Sequence, residues 1–281
     1  MDYFIAEPNA GIIATAIIGL VVGSFLNVVI YRLPIMMKRS WRRDCAELLE
    51  TSTTHSQERF DLLLPASRCP NCSHAITILE NIPIISYILL RGRCSTCQQK
   101  ISIRYPIIEF VSMLLSAMVA WKFGYGWPLL GALLLTWALL AASIIDLDHY
   151  LLPDNIVLPL LWLGILFNLF GTYVDLETSV VGAMFGYLSL WSVYWGFKLI
   201  TGKEGMGYGD FKLLAALGAW LGWLALPGII FLSSLVGAVI GISLVGLKIQ
   251  NRDKPIPFGP FLATAGWLHL MWGEYLISLW F

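Results

Sequence analysis

Four of the five cysteines lie in two similar short segments whose spacing is typical of a metal site. The segments are Cys69-Pro-Asn-Cys72 and Cys94-Ser-Thr-Cys97, and residues 73–93 separate them. Each segment can direct two thiolates at one point, and two such segments complete a tetrahedral set of four sulfur ligands. Because protein would fill all four positions, the pattern predicts a structural zinc site, with a redox dithiol pair or an iron–sulfur cluster as alternatives. The set is complete without Cys45, His55 or His74.

Two further segments place aspartates beside strongly apolar stretches. They read Asp146-Leu-Asp-His-Tyr-Leu-Leu-Pro-Asp154 and Gly205-Met-Gly-Tyr-Gly-Asp210. Acidic groups next to membrane spans are costly, which makes them functional candidates. Two carboxylates a few ångströms apart cannot both ionise and therefore share a proton. One of them can then take a proton from water while the other polarises a peptide carbonyl, as in an aspartic protease.

Asp146 and Asp210 are the predicted pair, and Gly207 and Gly209 are expected to let the backbone turn tightly and admit an extended substrate. The alternative is that these acids are salt-bridged residues at helix ends, an interpretation that suits Asp154. The sequence contains no His-Glu-x-x-His, no Gly-x-Ser-Gly and no phosphate-binding loop, so other common hydrolase and nucleotide sites are not indicated.

The elements that must position these residues are predicted to be membrane helices. Apolar residues make up 58% of the 281 residues and charged residues only 13%. Lipid can solvate this much apolar surface. The alternative, a soluble all-α protein, is disfavoured because it has too few charged residues to cover that surface. A crossing needs roughly 20 apolar residues. The expected fold class is therefore an all-α polytopic membrane protein with about eight transmembrane helices. The predicted spans are 10–31, 106–121, 128–145, 156–173, 179–200, 211–225, 228–247 and 259–279.

The distribution of basic residues predicts how the chain is oriented. Most of the 18 Lys and Arg residues lie between Arg32 and Arg104, and cytoplasmic loops retain positive charge. The cysteine loop is therefore expected in the cytosol, where stable disulfides are disfavoured. Both termini are expected outside, and both aspartate segments and residues 248–254 on the cytosolic side. Lys122 alone goes against the rule.

Three regions follow from this layout. Residues 1–31 form an external N-terminus and the first helix, 32–105 a cytosolic loop with the zinc site, and 106–281 a seven-helix membrane peptidase domain. The first helix lacks a basic region before it and a cleavage pattern after it, so we expect it to be retained. Four Gly-x-x-x-Gly pairs, which begin at Gly19, Gly182, Gly218 and Gly237, predict close helix packing.

The motifs, taken in order, resemble the type IV prepilin peptidases, the leader peptidase/N-methyltransferase family. The resemblance adds Gly23-Ser-Phe-Leu-Asn-Val-Val-Ile-Tyr-Arg-Leu-Pro34, Glu80-Asn-Ile-Pro83 and Ile101-Ser-Ile-Arg-Tyr-Pro-Ile-Ile-Glu109 to the cysteine and aspartate segments. It runs from about residue 19 to residue 219 and identifies a membrane aspartic protease of the Gly-x-Gly-Asp type. The family's first aspartate lies seven residues before the proline, which selects Asp146 and leaves Asp148 in reserve.

The resemblance also implies the reaction. Family members cut a short leader from type IV prepilins and type II secretion pseudopilins at the cytosolic face of the bacterial inner membrane. Many then methylate the new N-terminal residue with S-adenosylmethionine. Prepilin and pseudopilin precursors and membrane lipid are the expected partners, and no nucleic acid is expected. The methyl-transfer residues are not located by this comparison. Glu80, Arg104 and Glu109 are candidates for a contribution, but structural ion pairing is the favoured interpretation. A peptidase without methyl transfer, or a non-enzymatic transporter or scaffold, is the alternative function.

Overall fold

The structure, a computed structural model, describes residues 8–50, 59–247 and 256–278. Its helices, in chain order, are α1 (Pro8–Leu48), α2 (Ile85–Leu89), α3 (Arg104–Phe123), α4 (Trp127–His149), α5 (Asp154–Leu169), α6 (Leu176–Thr201), α7 (Tyr208–Leu221), α8 (Leu226–Gly246) and α9 (Gly259–Ser278). In these ranges β-structure is limited to two isolated bridges, one at each cysteine segment. The predicted all-α class is confirmed. His55 and the connector 248–254 lie outside the described residues.

Every described α-helix except α2 overlaps one of the predicted apolar stretches. Among the described residues, five helical segments are long and apolar enough to cross a membrane: α1, α3, α4, α6 and the segment Trp223–Leu244 that contains most of α8. The chain is thus a membrane protein. Helix α7 has 14 residues, a length of about 21 Å at 1.5 Å per residue, which is short of the roughly 30 Å apolar core of a bilayer. The count of eight spans therefore stays a prediction.

Helix α1 is longer than its predicted span. It has 41 residues and continues through Pro34 to Leu48. The residues after Pro34 are mainly good helix formers, such as Met, Lys, Arg, Ala and Leu, so the helix can extend without a break. The charged residues from Lys38 onward therefore lie on a continuation of the first predicted span.

The chain divides into two compact units, Met1–Trp121 and Lys122–Phe281. In the first unit α1 and α3 pack closely at two glycines. Ser112 Oγ donates a hydrogen bond to the Gly19 carbonyl at 2.6 Å. A Cβ atom at Gly23 would lie 2.8 Å from Glu109 Cα. The small residues of the first glycine pair therefore pack helix against helix, as predicted.

In the second unit α7 is the central helix. From Asp210 to Trp220 every residue of α7 except Lys212 is buried. On one side α7 meets α6, where a Cβ atom at Gly186 would lie 2.6 Å from the Leu214 carbonyl oxygen. On another side it meets α5, whose Asn168 Nδ2 donates to the Ala219 carbonyl at 2.8 Å. The helix that carries one candidate aspartate is thus held by backbone-close contacts on both sides.

Lys122 has a local partner that accounts for its position. Its ammonium group donates to the Met271 carbonyl. The next residue, Trp272, has the non-helical dihedral angles φ −133 and ψ 27, which interrupt α9. A helix interruption frees carbonyl groups from their usual partners. The one cation that runs against the charge rule therefore pairs with the backbone where α9 is broken.

Candidate active site and metal centre

The four cysteines of the two predicted segments converge in the first unit. Their sulfur atoms all lie within 4.8 Å of one another. Cys69 Sγ is 3.7 Å from Cys97 Sγ, and Cys72 Sγ is 3.9 Å from Cys94 Sγ. A tetrahedral zinc with Zn–S bonds of about 2.3 Å requires sulfur atoms about 3.8 Å apart. The cluster therefore has the ligand set and the spacing of a four-thiolate zinc site.

The two cysteine segments share one backbone conformation. The Cys69 N–H donates to the His74 carbonyl, and the Cys94 N–H donates to the Gln99 carbonyl, each at 2.9 Å. The fourth residue after the first cysteine has positive φ in both segments, 58° at Ser73 and 58° at Gln98. Two turns of equivalent conformation thus supply the two thiol pairs of the cluster. The isolated bridges Arg68–Ala75 and Arg93–Lys100 close the two turns.

Backbone donors favour the thiolate form of two of these cysteines. The Cys72 N–H lowers the pKa of Cys69, and the Gln99 N–H lowers the pKa of Cys97 to about 6. Metal ligation requires the thiolate. The local backbone therefore prepares these two sulfur atoms for a cation.

The side chains beside the cluster, His74, Glu80 and Cys45, are not members of the four-sulfur ligand set. His74 Nε2 lies 3.2 Å from Glu80 Oε2, so its ring contacts this carboxylate. Cys45 is exposed on α1 and outside the cluster. Hydrogen bonds from Ser95 and Thr77 lower the pKa of Glu80 to about 2. The expected structural role of Glu80 thus takes the form of hydrogen bonds together with the contact to His74.

Glu109 makes a contact that differs from the expected ion pair. It is buried on α3, and its Oε2 accepts the Ile84 N–H at 2.8 Å. Ser24 of α1 also donates to this carboxylate. Ile84 has a positive φ of 59°, which is unusual for a β-branched residue. Glu109 therefore fastens a strained point of the loop to α1 and α3.

In the second unit Asp146 lies in the last turn of α4 and Asp210 in the first turn of α7. Both residues are buried, with 5% of Asp146 and 8% of Asp210 exposed. Their carboxylates lie close enough to interact electrostatically. The α4 helix ends directly after this point, because Tyr150 adopts the left-handed conformation and its N–H donates to the Asp146 carbonyl at 2.8 Å. Two helix ends thus bring together the two aspartates that the sequence singled out.

An aromatic group holds the start of α7. Tyr194 of α6 contacts Tyr208 and Phe211, with ring centroids 5.3 and 5.6 Å away. Lys198 Nζ donates to Tyr194 Oη at 3.2 Å and to Glu204 Oε1 at 2.8 Å. These contacts fix the connector between α6 and α7, and with it the position of Asp210.

Neither glycine before Asp210 adopts a left-handed backbone conformation. Gly207 caps α7 with φ −84 and ψ 149, which any residue can adopt, and Gly209 lies within the helix at negative φ. Gly209 is required for space instead, since a Cβ atom there would lie 2.9 Å from Leu152 Cβ. Gly207 leaves room beside Asp210, whose Oδ2 would be 3.8 Å from such a Cβ atom.

Two residues of this site were not found from the sequence. Gly259, the first residue of α9, donates its N–H to Asp146 Oδ2 at 3.1 Å. Leu152 is buried in the turn after α4 and lies between Gly209 and Gly259. The contact joins residues 113 positions apart, so no local motif of the sequence indicated it.

The other acids of the first aspartate segment are placed differently. Asp148 is exposed on α4. Asp154 Oδ1 and Oδ2 each lie 2.8 Å from Lys212 Nζ, the salt-bridged arrangement that its sequence position suggested.

The site as a whole is a buried pair of interacting carboxylates with backbone N–H donors and tightly packed glycines around it. These are the chemical groups needed for acid–base activation of water at a peptide bond.

Comparison with known proteins gives matches along nearly the whole chain. The family named Bacterial Peptidase A24 N-terminal domain matches residues 17–123, and the Type IV leader peptidase family matches residues 133–242. A protein of Stutzerimonas stutzeri named "Prepilin leader peptidase/N-methyltransferase" is 55% identical over 99% of this chain and 96% of its own length. Proteins of the same name from Pseudomonas aeruginosa and Dichelobacter nodosus are 54% and 50% identical, over 98% and 97% of this chain and 95% and 96% of their own lengths. No solved structure matches the chain.

Proposed function

This chain belongs to the type IV leader peptidase family, and from that premise we propose that Asp146 and Asp210 are the catalytic pair of its peptidase. The enzyme cleaves the leader peptide of prepilins and N-methylates the product. The observation that supports the pair is the meeting of two buried carboxylates at the end of α4 and the start of α7. Asp148, the reserve candidate, is exposed on the same helix.

The two carboxylates divide the acid and base roles between them. Because adjacent like charges disfavour double ionisation, the pair holds one proton near neutral pH. The ionised aspartate takes a proton from water, and the resulting hydroxide equivalent attacks the peptide carbonyl. The protonated aspartate donates to the carbonyl oxygen, and a proton then passes to the departing amine. Gly207 leaves space beside Asp210 for the substrate backbone, whereas the space at Gly209 is taken by Leu152.

Type IV prepilins and type II secretion pseudopilins are the proposed substrates, and the bacterial inner membrane is the proposed location. The cysteine loop lies in the cytosol in this proposal, with both termini in the periplasm, because the Lys and Arg residues concentrate in the loop. The apolar helices would contact membrane lipid directly. This orientation places both aspartate segments at the cytosolic face.

Zinc is the proposed occupant of the cysteine cluster, held by Cys69, Cys72, Cys94 and Cys97. When bound, it supplies four metal–sulfur bonds that cross-link two segments of a loop too small for a core of its own. The described loop has no strand and one short α-helix, α2, which agrees with a need for such a cross-link.

S-adenosylmethionine is the proposed methyl donor, which supplies an electrophilic methyl group for the new N-terminal amine. The measurement is transfer of labelled methyl from S-adenosylmethionine to cleaved pilin. Label on the pilin N-terminus supports the two-step enzyme. Cleavage without label would show that S-adenosylmethionine is not the methyl donor.

The catalytic pair is tested by cleavage of a purified prepilin in detergent. Asp146→Asn and Asp210→Asn keep the side-chain shape and remove the acid, so each is expected to reduce cleavage by at least about 100-fold. Asp148→Asn is the matched control on the same helix and is expected to cleave at the wild-type rate. Folded 146 and 210 variants that still cleave would overturn the two-aspartate mechanism and assign the peptidase activity to other residues.

A further inference from the structure

The start of α9 contributes to the aspartate site from a distant part of the chain. Gly259 lies 113 residues after Asp146, and its N–H donates to Asp146 Oδ2 at 3.1 Å in a buried contact. The first N–H groups of a helix have no partner within the helix. A carboxylate at this position satisfies one of them and interacts favourably with the positive end of the helix dipole. Asp146 therefore acts as a cap of α9 although it belongs to α4.

The contact leaves no room for a side chain at residue 259. A Cβ atom there would lie 2.6 Å from Asp146 Oδ2 and 3.0 Å from Leu152 Cδ2. On its other side Leu152 is packed against Gly209, next to Asp210. Leu152 is therefore packed between Gly259, which contacts Asp146, and Gly209, which precedes Asp210.

We infer that Gly259 is a positioning residue of the aspartate pair, whose N–H orients the Asp146 carboxylate and favours its ionised form. The inference rests on the proposed catalytic pair. A donor to a carboxylate stabilises the charged state, so the Gly259 N–H favours the ionised form of Asp146, and the Gly207 N–H makes the corresponding contact with Asp210. The bare α-carbon of Gly259 allows the helix to approach closely enough for this bond.

Several other ionisable groups lie on the helices and the turn around Asp146. Asp210 is the nearby carboxylate, and Asp154 of α5 is paired with Lys212 of α7. The remaining titratable groups on α4, on the turn after it and on the described part of α9 are Asp148, His149, Tyr150, His269, Glu274 and Tyr275.

The inference predicts a change in both rate and pH dependence for Gly259→Ala. The added methyl group displaces the carboxylate, and misplacement of a reacting group by about 1 Å costs up to about 100-fold in rate. We expect leader cleavage to fall by about 10- to 100-fold. Weaker donation disfavours the ionised form, so the ascending limb of the pH–rate profile should move to higher pH by about 0.5 to 1 unit.

Gly266→Ala is the matched control, because it adds the same methyl group to the same helix against Leu217, away from the aspartates. It is expected to reduce stability and to leave the ascending limb in place. Gly259→Ala is made both in the wild type and in Leu152→Ala, where the clash with the leucine is relieved and folding is easier. A rate loss and a shifted limb in the Leu152→Ala background support the inference.

Two results would overturn it. One is a folded Gly259→Ala enzyme with the wild-type rate and profile. The other is a double variant that matches Leu152→Ala alone, since the effect would then come from crowding at Leu152. Asp146→Asn separates these outcomes from failure of the proposed function: if that variant is inactive, only the role of Gly259 has failed, and if it cleaves, the catalytic pair itself is wrong.

Discussion

Glu80 is a single residue that links both cysteine segments of the loop. Its carboxylate accepts hydrogen bonds from the Ser95 hydroxyl, between the cysteines of the second segment, and from the Thr77 N–H at 2.8 Å. It also contacts His74, which follows the first segment. Because charged acceptors make the stronger hydrogen bonds, loss of this charge should loosen both segments together.

We therefore predict that Glu80→Gln releases metal faster than the wild type. The amide keeps the size of the side chain but turns an N–H₂ group toward existing donors, which leaves hydrogen bonds unmade. A several-fold faster release is expected when a coloured chelator competes for the metal. Glu47→Gln, on the exposed part of α1, is the control and should release metal at the wild-type rate. Equal rates for the two variants would show that Glu80 does not support the cluster.

At the scale of helices, one ion pair joins α5, the helix after Asp146, to α7, the helix that carries Asp210. Asp154 begins α5, directly after the turn that follows Asp146, and Lys212 lies two residues after Asp210 on α7. The pair is partly exposed, with 30% of the Lys212 and 49% of the Asp154 side chain accessible. Exposed pairs contribute only about 0.2 to 1 kcal/mol to stability. Its position suggests that alignment of the two helix ends matters more than stability.

Lys212→Asp is predicted to reduce the kcat of leader cleavage several-fold while the melting temperature changes little. The exchange Asp154→Lys/Lys212→Asp restores the attraction and should recover most of the rate. Lys203→Asp makes the same charge change in the connector before α7 and serves as the control. The prediction is wrong if the exchanged pair is no better than Lys212→Asp alone, or if Lys203→Asp lowers kcat equally.

The helices also show what the sequence could and could not reveal. Apolar runs located every long helix, and contiguous motifs located the cysteines and Asp146 and Asp210, because the residues of each motif are neighbours in the chain. The end of α1 was missed because its polar continuation has no apolar run to mark it. Gly259 was missed because its contact with Asp146 depends on how α9 packs against α4, which no local pattern encodes.

At the scale of the whole molecule, the two chemical centres belong to different compact units. All four clustered cysteines lie within Met1–Trp121, and both aspartates lie within Lys122–Phe281. The residues found around the aspartates, Leu152, Gly207, Gly209 and Gly259, belong to the second unit as well. Loss of metal should therefore disturb the loop and leave the immediate surroundings of the aspartates unchanged.

Cys94→Ser is predicted to reduce bound zinc and to expose residues 65–100 to proteolysis, since the loop loses the cross-link between its two segments. Cleavage is measured on the same preparation across pH. The remaining activity should keep the wild-type ascending limb, because the residues described around the aspartates are all retained. Cys45→Ser, which changes an exposed cysteine outside the cluster, should keep its zinc and its resistance to proteolysis. A shifted limb in Cys94→Ser alone would mean that the metal loop influences the ionisation of the aspartate pair, and the two centres would then have to be treated as one catalytic system.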